Sequence, residues 1–137
     1  DAGEVWRIER IIVSDEEPVV HLTSWLPVAV YARIDAAEIE GSSLYECLQR
    51  SVGTRGRPTV ADEQWSAAEA PDATARHLEL ARHTPVMRVQ RTAYLADGTP
   101  AESSLSYVRG ESFAVAIRIG GGSLGQRVLA PVEEASA

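Results

Sequence analysis

The sequence predicts an α+β domain, a largely antiparallel sheet with helices packed on it, and three observations predict it. Segments with a two-residue apolar period recur at 5–13, 19–26, 86–95, 101–108 and 113–119, as half-buried strands require. Turn chemistry joins the first four into two hairpins, through Ser14-Asp15-Glu16-Glu17-Pro18 and through Asp97-Gly98. Helical spacing fills the stretch between the hairpins, and two hairpins paired with helices over one face give this class of layer.

In chain order, Trp6, Ile8, Arg10 and Ile12 share one face of the first strand, and residues 19–26 return to Pro27. Val30, Ile34 and Ile39 are spaced for a helix over 29–39. Ser43-Leu44-Tyr45-Glu46 is a capping box opening a second helix, with Leu44, Cys47 and Leu48 on its apolar face and Gly53 at its end. Residues 55–58 form a loop and 59–70 a long strand. Asp72 is placed to cap a short helix that turns Ala75 and Leu78 inward. The last alternating strand is 113–119, and from Gly120 the glycines and the final acidic run predict a flexible tail over 121–137. A weak internal echo links the halves: Arg10 precedes Pro18 by eight positions, and Arg91 precedes Pro100 by nine.

At 137 residues and 45% hydrophobic, the chain can build one domain with a real core. It contains no apolar run of the roughly 18 residues a membrane span needs. The N-terminus lacks the charged and apolar regions of a secretory signal, and the missing initiator methionine points to a segment of a longer protein. The single Cys47 excludes an internal disulfide and makes a reducing cytoplasm the default. A net charge of −7, with no lysine at all, argues against direct nucleic-acid binding by this chain.

Two constellations carry functional potential. Arg10 and Arg91 sit on apolar strand faces, and a guanidinium cannot shed its charge, so each needs a carboxylate or an anionic ligand. Glu102 is the natural internal partner. Either the three form a structural triad, or an arginine keeps an edge for an effector. Ser24, Ser104 and Ser106 place hydroxyls on strands, while Ser43 and Tyr45 open a helix; a plain cap is the simpler reading of Ser43, and Tyr45 is either pocket wall or core. His21, His77 and His83 stand apart, in no metal-like spacing with one another or with Cys47. Nucleophile-elbow and phosphate-loop patterns are missing, and no cofactor is expected. Trp6, Trp25 and Trp65 suit core or interface before ligand stacking.

The order of segments adds a resemblance. It runs Trp6-Arg7-Ile8-Glu9-Arg10, Glu17-Pro18-Val19-Val20, Thr23-Ser24-Trp25-Leu26-Pro27 and Ser43-Leu44-Tyr45-Glu46-Cys47-Leu48. It continues with Ala75 to Leu80, Thr84-Pro85-Val86, Arg91-Thr92-Ala93-Tyr94, Asp97 to Glu102 and Ser106-Tyr107-Val108-Arg109-Gly110. Over about residues 4–119 this resembles the UTRA (UbiC transcription regulator-associated) domain of HutC-subfamily GntR-type regulators. The resemblance implies a chorismate lyase-like fold, a sensing and dimerising domain at 1–120, and an upstream winged helix-turn-helix that binds operator DNA as a homodimer. It further implies a small-molecule effector and, by position, pocket residues Arg10, Leu22, Ser24, Ser43, Tyr45, Arg91, Glu102 and Val108. Members that bind phosphosugars tend to carry arginine, an acid and tyrosine where this chain has Ile12, Leu22 and Val108. A more apolar pocket and a larger, greasier effector follow. The rivals are a chorismate lyase-like enzyme, in which Arg91 and Glu102 would hold a dianion, and a dimerisation module with a vestigial pocket.

Overall fold

The computed structural model describes residues 3–40, 44–111, 113–117 and 127–131. Strands β1 (Val5–Ser14) and β2 (Glu17–Pro27) form a hairpin whose central residues, Asp15 and Glu16, have φ of 49° and 64°. Positive φ at both positions gives a turn whose twist matches that of the strands. The register shifts between Ile12 and Val13, a bulge just before this turn. Strands β3 (Val60–Glu69), β4 (Pro85–Tyr94) and β5 (Pro100–Arg109) complete an antiparallel sheet in the order β1-β2-β5-β4-β3. The two expected hairpins therefore pair through β2 and β5, from Val20 opposite Val108 to Trp25 opposite Ser103.

The helix expected over 29–39 shrinks to α1 (Ala36–Glu40). Tertiary hydrogen bonds hold the segment before it in another course. The Tyr31 hydroxyl donates to Gly56 O at 2.7 Å, and the Trp6 indole donates to Tyr31 O at 2.8 Å. Asp35 then accepts the Ala37 amide at 2.9 Å, an N-cap that starts the helix late. Helix α2 (Leu44–Val52) buries Leu44, Cys47 and Leu48 as its periodicity demands, and Gly53 follows it at φ 75°. Its capping box lies partly outside the described residues, because Ser43 does.

The helices do not share one face. Leu44 and Leu48 of α2 pack with Leu26, Tyr31 and Ala101, whereas Ala75 of α3 (Asp72–His77) packs with Ala70 and Val86. His21 and Tyr107, on the side of the sheet opposite to Leu22 and Ser106, also meet α3, as alternation dictates. Asp72 does not cap α3. Pro71 precedes the helix with no side-chain cap, and the Asp72 carboxylate pairs with Arg82 Nε at 3.4 Å instead. Buried Arg109 ties this side together, donating to Leu78 O at the end of α3 and, at 3.2 Å, to Pro18 O in β2.

Strand β6 (Phe113–Ile117) pairs with β7 (Arg127–Pro131) in a separate two-stranded antiparallel sheet. The flexible tail expected over 121–137 thus contains a strand. In the sequence the strand propensity of Val128 and Leu129 is hidden between the glycines before them and the acidic run after them. Among the described residues no helix is long and apolar enough to cross a membrane.

Candidate functional site

Cross-strand register builds the floor of a cleft. One row across the sheet runs Ile8, Ser24, Ser104, Arg91, Glu63, and the next runs Arg10, Leu22, Ser106, Val89, Trp65. Because side chains alternate along each strand, both rows project to the same face, the one that α2 covers. The cleft between sheet and helix has a volume of about 380 Å³, within the range of small-molecule sites. Ile12, Val20, Leu22, Leu44, Val89 and Val108 supply most of its apolar wall.

Six of the eight pocket residues expected from the resemblance line this cleft: Arg10, Leu22, Tyr45, Arg91, Glu102 and Val108. Ser24 does not. It is fully buried and donates to Glu102 Oε1 at 2.9 Å, so it positions a lining residue. Ser43 lies outside the described residues. Sequence reasoning missed Glu63, which enters from β3 because Glu63 stands opposite Arg91. Only the register could have found it.

The expected Arg91–Glu102 pair is not formed. Arg91 Nη1 donates to Glu63 Oε1 at 3.0 Å. Glu63 Oε2 accepts the Trp65 indole N–H at 2.8 Å, fixing that ring in the wall. The Arg91 guanidinium also lies 5.6 Å from the centre of the Tyr45 ring, a cation–π contact. Three buried polar atoms in the cleft residues have no hydrogen-bond partner: Arg10 Nε, Arg91 Nε and Glu102 Oε2. Burial, reinforced by the Glu102 charge, pushes the Tyr45 phenol well above its ordinary pKa, so it stays a neutral donor and acceptor.

On the opposite face the structure corrects the picture of separate histidines. His21 and His77 both turn Nε2 toward Glu9 Oε1, at 2.7 and 3.6 Å. His83 stays outside this group and pairs with Glu69 at 3.0 Å.

Residues 1–114 match the UTRA domain family. A "Probable fructoselysine utilization operon transcriptional repressor" of Escherichia coli (strain K12) is 29% identical over 118 residues, which cover 84% of this chain and 46% of that protein. The chain therefore spans about half the length of the curated relatives it matches. A GntR-family transcriptional regulator from Bacillus cereus superposes with a TM-score of 0.72 at 25% identity, over 85% of this chain and 79% of that one. A GntR-family regulator from Enterococcus faecalis V583 does so with a TM-score of 0.73 at 24% identity, over 83% and 80% of the two chains. With residues 1–114 of 137 matched to the family and the fold shared with these regulators, the chain belongs to the UTRA domain family.

Proposed function

We propose that this chain is the effector-sensing and dimerising part of a cytoplasmic GntR-type transcription repressor of the HutC subfamily, and that the cleft under α2 receives the effector. One observation carries the proposal: Arg10 Nε, Arg91 Nε and Glu102 Oε2 are buried without partners beside a mostly apolar cavity. An unmade hydrogen bond at a buried group costs about 1–3 kcal/mol, so a ligand that supplies the partners gains that much at each. Carboxylate or phosphate oxygens suit the two arginines, and a hydroxyl or amine suits Glu102.

Ile12, Leu22 and Val108 make the wall greasier than a sugar phosphate requires, which favours a larger, partly apolar anion. Effector binding then shifts a homodimer between arrangements that favour or disfavour operator DNA, which a winged helix-turn-helix elsewhere in the full protein contacts. No chemistry is assigned to the cleft. The relatives are named as regulators, and a chorismate lyase activity would show as pyruvate release from chorismate.

A thermal-shift screen of amphipathic anions tests the site, since a ligand that binds the native state raises its melting temperature. Hits should stabilise the wild type, and Arg91→Ala should remove that response. A full response in Arg91→Ala sinks the assignment of the cleft. Tight binding of glucosamine 6-phosphate in calorimetry refutes the apolar effector.

A further inference from the structure

We infer that Glu9, His21 and His77 form a binding site for one divalent transition-metal ion, zinc above all, on the face of the sheet opposite the cleft. Their ligand atoms, each from a different element (β1, β2 and the end of α3), all lie within 4.8 Å of one another. Tetrahedral zinc with bonds of about 2.0–2.1 Å needs ligand atoms roughly 3.3 Å apart. Glu9 Oε1 is already 2.7 Å from His21 Nε2 and 3.6 Å from His77 Nε2, so small rotations of two partly exposed side chains complete the geometry.

Three features argue for a site over a chance cluster. The donor set, two imidazoles and a carboxylate, is the one that borderline-soft zinc prefers, and it leaves a fourth position for water. His21 is buried, and its other ring nitrogen, Nδ1, is hydrogen-bonded to Thr74 Oγ1 at 2.8 Å. That bond to α3 orients the ring, as the outer partners of metal-bound histidines do. The Glu9 carboxylate also divides its work: Oε2 accepts from Arg7 at 3.3 Å, while Oε1 alone faces both imidazoles. Arg7 also offsets part of the Glu9 charge, which weakens the pull of the carboxylate on a cation. Without metal, the Glu9–His21 hydrogen bond holds the ligands together.

The inference does not rest on the cleft or on any effector. Its test is titration of the chelator-stripped chain with zinc sulfate in a non-coordinating buffer, followed by calorimetry and by the imidazole proton signals. One equivalent should bind, shift the signals of His21 and His77 but not of His83, and raise the melting temperature. Glu9→Gln, which keeps a hydrogen bond to His21, and His77→Gln, at a half-exposed position, should each weaken binding at least about tenfold. His83→Gln should bind as the wild type does. Absence of saturable one-to-one binding overturns the site, and so does unchanged affinity in His77→Gln or a loss in His83→Gln.

Discussion

Glu63 and Arg91 stand directly opposite each other across the β3–β4 ladder and meet at 3.0 Å between Oε1 and Nη1. The same carboxylate holds the Trp65 indole through Oε2, so one acid fixes both a cation and an aromatic wall of the cleft. Replacing Glu63 by alanine removes the acceptor of both contacts at once. Glu63→Ala should cost about 1–3 kcal/mol of stability and Glu63→Gln less, since the amide oxygen still accepts. Urea unfolding checks this, and a midpoint for Glu63→Ala equal to that of the wild type would contradict it.

Ser24 is the hidden support of Glu102. Its hydroxyl is fully buried and donates to Glu102 Oε1, while Oε2 has no partner. Ser24→Ala strips the carboxylate of this donor and should destabilise the domain by about 1–3 kcal/mol, although the serine does not line the cleft. Equal chemical stability of the variant and the wild type would show that the bond contributes nothing.

Burial, with a smaller effect of the Glu102 charge, pushes the Tyr31 phenol up to about 12. A phenol raised in the folded state favours folding fully below the unfolded value near 10, and that contribution fades as pH climbs from about 10 to 12. Stability should therefore fall through that window, and the fall should flatten in Tyr31→Phe. The phenylalanine variant also loses the bond to Gly56 O, about 1 kcal/mol at neutral pH. Denaturation at a series of alkaline pH values reads both effects, and parallel curves for the two proteins would exclude Tyr31 as the cause.

The β1–β2 turn carries Glu16 at φ 64°, a conformation that disfavours any residue with a Cβ. Asp15 tolerates it through its short polar side chain, and Asp-Gly is the preferred pair for such turns. Glu16→Gly should stabilise the hairpin by roughly 0.5–1 kcal/mol, after the entropy glycine adds to the unfolded chain. A lower melting temperature in the variant would contradict the strain.

Much of the fold was legible because alternation and turn chemistry are local signals. The five strands of the main sheet and the helix at Leu44–Val52 lie close to where their periods put them. The spacing of Val30 and Ile34 suits a helix, whereas the hydrogen bonds of Tyr31 that forbid one involve Trp6 and Gly56, remote in sequence. At the site, Arg10 and Arg91 betrayed themselves as cations among apolar neighbours. Their partners did not, since Glu63 reaches Arg91 only through strand pairing, and Glu102, chosen as partner on proximity in the chain, turns to Ser24. The histidines looked unrelated for the same reason: Glu9, His21 and His77 converge only once β1, β2 and α3 are stacked.

The bulge at Ile12 and Val13 has a consequence for errors of length. Glu9 and Arg10 are consecutive, so their side chains leave the sheet on opposite sides. A one-residue slip of β1 against β2 would send the acid under α2 and the base toward the imidazoles. The bulge beside the turn helps to pin the hairpin in this register. Deleting one residue between Arg10 and the turn should therefore exchange the sides to which Glu9 and Arg10 project.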